Sequence, residues 1–252
     1  MAGVTIFMIR RWMMKNLPLN IFCALLVCTG VFLPFAGTVQ ARALTDGIIK
    51  QVDCSKGGSI GDVIDNSVPY IPLVVMVTGQ CDEGFLEIER DNVSIEGKDE
   101  TARINGGIGI DGSRDVGLSN ITVSGPLGVF GAGKATIVGY RKTVVENGVE
   151  IGNASFIEIE GDVQLGGDGV QMALFANLNS TAYITNLSEA LVPSIVGNIQ
   201  IEKDSNVELD TEENPSNPIT VNGDIVCDGD SHLWSNDLSG VSGVIDANCS
   251  LP

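Results

Sequence analysis

Val149-Glu150-Ile151, Ile157-Glu158-Ile159 and Val163-Gln164-Leu165 are three short apolar–polar–apolar runs. They are separated by Gly152-Asn153-Ala154-Ser155 and by Gly161-Asp162. Alternation with a period of two places every second side chain on one face, the signature of a half-buried strand. The unit recurs along the chain. Its leading apolar residue falls at Leu86, Ile108, Val129, Val149, Val170, Ile199 and Ile219, and a second apolar position follows at Val93, Val116, Ile137, Ile157 and Val207. A repeat of about twenty residues made of short strands and polar corners predicts a solenoid. No helical run separates the strands, so the solenoid is of the β type. One coil cannot bury its own apolar face, but stacked coils share a continuous inner column. Seven coils at about 4.8 Å each give a rod on the order of 34 Å long.

Working outward, residues 1–43 have the layout of an export signal. Arg10, Arg11 and Lys15 form a basic start, the stretch Asn16 to Gln40 carries no charge, and Ala41-Arg42-Ala43 is a small-x-small cleavage pattern. The expectation is cleavage after Ala43, with no membrane insertion afterwards and a secreted, extracellular or periplasmic location; the alternative is an uncleaved membrane anchor. From Leu44 onward the chain holds all 32 acidic residues against 10 basic ones, a formal charge of −22. Such a surface repels nucleic acid, and polyanionic glycans unless calcium bridges the charges. Four cysteines follow the signal, Cys54, Cys81, Cys227 and Cys249. An even count in an exported chain implies disulfides. Of the three possible pairings, Cys54–Cys81 with Cys227–Cys249 is favoured, because the other two would span the rod. With no CxxC and only His232 as histidine, a cysteine–histidine metal site is not expected.

Three segments follow from this layout: an N-terminal cap and first coil over 44–85, coils over 86–226, and a C-terminal cap over 227–252. Leu44 to Asp53 reads as a lead-in. Ser59-x-x-Asp62 followed by Ile60, Val63 and Ile64 on one helical face predicts a short helix to about Asn66, covering the open end of the first coil. Ile71 to Val77 is a buried first strand. The step from Val170 to Ile199 is longer than a plain coil, which places an insertion within Ala176 to Pro193. Asp210 to Pro218 is a polar loop, and Ile219 to Cys227 the last coil.

Val52-Asp53-Cys54, Gly57-Gly58-Ser59-Ile60, Val77-Thr78-Gly79-Gln80-Cys81-x-Glu83 and Ile88-Glu89-Arg90-Asp91-Asn92-Val93-Ser94-Ile95-x-Gly97 resemble the start of secreted bacterial proteins with the right-handed parallel β-helix of the pectate-lyase-like superfold. The late cysteine pair is similar to that family's closing disulfide. The resemblance implies an all-β fold: one right-handed parallel β-helix of about seven or eight coils. It implies little about activity, because the superfold hosts lyases, hydrolases, epimerases, tailspikes and adhesins.

Three functions are weighed on the residues. A calcium-assisted polysaccharide lyase needs an Arg or Lys base beside carboxylates that hold calcium against a uronate. The basic candidates are Arg141, Lys142, Arg114 and Lys134, and the acidic ones Asp111, Asp115, Glu146, Glu150 and Asp168. A glycoside hydrolase needs two facing carboxylates. A non-catalytic rod acting as a structural, adhesive or glycan-contacting surface protein needs neither, and it is the reading adopted here. Its partner is an extracellular polysaccharide or cell-surface component, and Asp168, Asn177 and Asn179 are the candidate contacts. No cofactor is expected, except calcium if the chain is a lyase. Trp234 is the single tryptophan after the signal, so a sugar-stacking platform looks poorly supplied. Six Asn-x-Ser/Thr patterns, among them Asn92, Asn153 and Asn179, are read as corner residues. Asp228-x-Asp230 is read as a turn, and His232 as structural or exposed.

Overall fold

A computed structural model describes residues 47–188, 190–211 and 217–249. The expected signal lies outside the described residues. The architecture is a parallel β-solenoid of about eight turns, almost without helix. Each turn gives one strand to each of three stacked parallel sheets, named A, B and C.

Sheet A begins with β1 (Ile48–Asp53) and β2 (Leu73–Thr78), and runs through Val93–Gly97, Val116–Ser119 and onward to Asn206–Asp210 and His232–Ser235. Sheets B and C both begin in β3 (Gln80–Ile88), which bends at Gly84. Sheet C continues through Arg103–Asp111, Leu127–Phe130, Val149–Ile151, Met172–Ala176, Asn198–Ile201 and Ile225–Cys227. Sheet B ends with Ser194–Val196, Thr220–Asn222 and a bridge to Val241.

The register explains the core. In sheet C, Leu86, Ile108, Leu127, Val149, Leu174, Ile199 and Ile225 sit one above another, and all are buried. In sheet A the matching column is Val93, Val116, Ala135, Ile157, Ala182, Val207 and Leu233. Each fully buried aliphatic side chain contributes roughly 1.5–3 kcal/mol, and neither column contains a polar residue.

Most of the expected repeat positions fall on these columns, with corrections. Val129 and Ile137 sit two residues beyond their column positions but on the same strand and face. Val170 precedes its strand, which is Met172–Ala176, and Ile219 precedes a strand of sheet B rather than C. The lead-in contains a strand, β1, paired in parallel with β2. The extra length expected within Ala176–Pro193 is confined to the A-to-B corner at residues 186–193. There the Leu187 amide donates to the Leu191 carbonyl, while Asn177 to Ser180 form an ordinary tight corner. The next coil also has a long A-to-B corner, between Asp210 and Thr220.

The expected cover helix is α1 (Ile60–Asp65). The Ser59 side chain accepts from the Asp62 amide, and Ile60 and Ile64 are buried in the end of the core. The Cys54–Cys81 and Cys227–Cys249 disulfides are both present. The C-terminal segment continues the coil, with Val241 over Val221 and Ile245 over Ile225.

Corners explain the polar sequence. Between sheets C and A, a residue with positive φ turns the chain in six successive coils, Asn92, Asp115, Asn153, Asn179 and Asp204 among them. Asn and Asp tolerate that conformation best after Gly. A buried serine stands beside it at Ser113, Ser155, Ser180 and Ser205. The hydroxyl of Ser180 donates to the Ile151 carbonyl and that of Ser113 to the Ile88 carbonyl. These needs alone generate Asn-x-Ser patterns such as Asn153-Ala154-Ser155. At the B-to-C corner, neighbouring coils touch backbone to backbone. A Cβ at Gly223 would stand 2.3 Å from the Gly197 carbonyl oxygen, and one at Gly243 would stand 2.2 Å from that of Gly223.

Gly223→Ala is therefore expected to cost about 2 kcal/mol through overpacking, lowering the melting temperature by roughly 5 °C for a domain of this size. Gly229→Ala, where a Cβ meets nothing within 4 Å, should melt within a degree or so of the parent. Thermal denaturation followed by circular dichroism reads both, and equal melting temperatures would refute the close-contact account.

Candidate functional site

Beside α1, the first strand of sheet C borders a cleft of about 540 Å³. Its floor and walls include Ile64, Pro69, Phe85 and Leu86, and its rim carries Asp65, Glu83, Glu87 and Glu89. Two charged residues build the cleft. The Glu83 carboxylate accepts from the amides of Ile60 and Gly61 at the start of α1, where a negative charge complements the exposed amides. The Arg90 guanidinium donates to the carbonyls of Ile64, Ser67, Val68 and Ile71. It thereby ties the loop after α1 to the first coil. Both groups are spent on structure.

Phe85 is the unusual member. It is 61% exposed. Register pairs it with Gly107, and Glu87 with Gly109, one coil further on. The ring lies across both glycines: a Cβ on Gly107 would meet Cδ2 at 3.0 Å, and one on Gly109 would meet Cε1 and Cζ at 2.9 Å. Phe130 lies back over Gly128 of its own strand, the register partner of Gly109 in the preceding coil. Two aromatic rings thus rest on neighbouring glycines, and Phe85 also lines the cleft. The sequence reading missed this arrangement. Its signal is a phenylalanine one coil before a Gly-x-Gly, which has meaning only once the register is known.

The residues expected as a site are spread over three edges. Arg141 stands at the A-to-B edge, where its guanidinium donates to the Gly97 carbonyl at 2.8 Å and to that of Lys98 at 3.3 Å. Lys142, its neighbour, is exposed. Arg114 is exposed at the C-to-A edge, its amide bonded to the Asp91 carboxylate. Asn177 and Asn179 share that edge three coils further on, about 14 Å along the rod, and the Asn177 side chain packs against Gly152. Asp168 is exposed at the B-to-C edge. Lys134 lies 3.7 Å from Asp115 and 5.9 Å from the centre of the Phe156 ring. Glu146 is paired with Arg103 at 2.6 Å on sheet B, Asp111 leans on Gly131, and Glu150 is exposed on sheet C. The structure does not bring these residues into one constellation. Among the described residues, no group of three or more His, Cys, Asp or Glu is placed to hold a metal ion. No helix of the described residues is long and apolar enough to cross a membrane.

A second polar cluster lies on sheet A at the long corners. The Tyr183 hydroxyl donates to the buried Asp210 carboxylate at 2.6 Å, and Asn236 donates to the other oxygen of Asp210. Asn236 accepts in turn from the Thr211 amide and hydroxyl. Burial, and then the Asp210 carboxylate beside it, push the Tyr183 phenol well above its ordinary range.

Comparison with protein families, with curated proteins and with solved structures returns no match. The chain is accordingly defined by its own geometry, as a parallel β-solenoid closed by a disulfide near each end.

The Tyr183 environment gives a pH prediction. The folded state holds the phenol protonated where the unfolded chain, with a phenol pKa of about 10, releases it. The stability it contributes is therefore complete below about pH 10 and falls as the pH rises above it. Tyr183→Phe should flatten that alkaline fall in urea midpoints measured from pH 8 to 11. Parallel curves for parent and variant would refute the assignment.

Proposed function

We propose that this protein is an exported, non-catalytic rod that acts by presenting its outer faces to a glycan or other component of an extracellular surface. The observation that carries the reading is how its cations are used. A lyase base must be free to take a proton beside the substrate. Arg141 is instead a clamp between coils, Arg103 is paired with Glu146, and Arg90 holds the cap loop. Such use of arginine supports a scaffold whose charges serve its shape. Two disulfides support an oxidising compartment, and the negative surface keeps such a rod dispersed. A calcium-assisted lyase would need carboxylates converging on one face beside a free base, and no observation favours it over the rod.

The test is turnover. The purified protein is incubated with uronate and neutral polysaccharides, with and without calcium, following absorbance near 235 nm and reducing ends. Neither signal should rise above the blank. A calcium-dependent rise at 235 nm that Lys142→Ala or Arg114→Ala abolishes would replace the rod with a lyase. Reducing ends without that absorbance would replace it with a hydrolase.

A further inference from the structure

We propose that Phe85, lying flat on Gly107 and Gly109, forms with the cleft beside it a binding site for a neutral pyranose oligosaccharide. The proposal deepens the contact reading above and rests on it for the kind of partner sought.

Core packing does not account for Phe85. Its neighbours Leu86 and Ile88 are buried, whereas Phe85 leaves most of its surface in water. An exposed apolar ring costs free energy unless something covers it. The glycines fix its pose. With the underside against Gly107 and Gly109, the ring cannot turn inward, and its opposite face looks outward. A planar apolar surface held parallel to a sheet matches the C–H face of a pyranose, which is itself flat and apolar. Phe130, two coils on from Phe85 in the stack, lies back over Gly128, the register neighbour of Gly109, and so lengthens the apolar strip.

The polar groups around the platform select the sugar. Asp65, Glu87 and Glu89 line or rim the cleft and make no side-chain hydrogen bond or ion pair among the described residues. Ionised carboxylates are acceptors only, so they suit hydroxyl donors. They repel uronates and sulfated sugars, which need a free cation. The cleft's one cation, Arg90, is already donated to four carbonyls. Flat apolar face, a rim of carboxylate acceptors, and a cleft of about 540 Å³ together fit a short, uncharged, hydroxyl-rich chain.

Isothermal titration and ligand-observed NMR would be run on the purified protein with gluco-, manno-, galacto- and chito-oligosaccharides. Oligogalacturonate and hexalysine serve as the anionic and cationic comparisons. At least one neutral oligosaccharide should bind in the micromolar to millimolar range while oligogalacturonate does not. Phe85→Ala should weaken that binding at least tenfold, and Phe85→Tyr should keep it. Gly109→Ala, whose new Cβ would stand 2.9 Å from the ring, should weaken it too, by tilting the platform. Melting temperatures near the parent value show that the variants fold. Neutral binding that survives Phe85→Ala would overturn this site and leave a glycan-contacting rod standing. No binding by any neutral sugar would overturn the site and the glycan partner together. Phe85-dependent binding of hexalysine alone would assign the cleft to a basic peptide and overturn the proposal. Turnover in the assay above would sink the rod reading whatever binds here.

Discussion

Hydrogen bonding between each strand and its equivalent one coil along is the constraint on which everything else depends. In-register parallel pairing puts like positions directly above one another. A choice made in one coil is then imposed on its neighbours. An aliphatic residue facing inward must be followed by another, or the core column opens. A backbone that approaches the next coil closely at one corner does so in several coils, which is why Gly197, Gly223 and Gly243 stand in a row. The turn between sheets C and A asks repeatedly for a residue that tolerates positive φ, and receives Asn or Asp. Composition is here a record of geometry more than of chemistry.

That same constraint decides what the sequence could reveal. Alternation and a period near twenty were legible because they need only neighbouring residues. The helix at Ile60–Asp65 was legible because its cap and apolar face are local. Coil length varies, however, and an average period drifts against the true columns. Val170 and Ile219 were taken for column positions for that reason, although corners and not strands absorb the extra residues. The strand Ile48–Asp53 was missed because most of its residues face solvent, so it lacks the apolar run that marks its partner Leu73–Thr78. Phe85 lay hidden for a related reason. Nothing within its own strand marks it, and its floor lies 22 residues away in the next coil.

The candidate site residues drawn from charge alone fared differently. In a three-sided solenoid, residues close in sequence turn away from one another at each corner, and residues one coil apart come together. Arg141 and Lys142 are adjacent basic residues, yet the guanidinium of Arg141 reaches carbonyls two coils earlier. The pairing of Arg103 with Glu146 also crosses coils. Proximity here follows the stacking direction, and a constellation has to be sought down a column rather than along the chain.

The placement of the two disulfides has a consequence for how the rod comes apart. A stack of coils bound only to nearest neighbours would ordinarily fray from its termini, since a terminal coil has one neighbour instead of two. Here the first coil is stitched to its cover through Cys54 and Cys81, and the last coil to the closing segment through Cys227 and Cys249. Peeling is resisted where it would start. A cover can then leave only together with the coil it is stitched to, so loss of structure from an end has to break an interface one coil further in. The smallest unit that can unravel at either end is thereby enlarged, and reductant would return it to the cover alone.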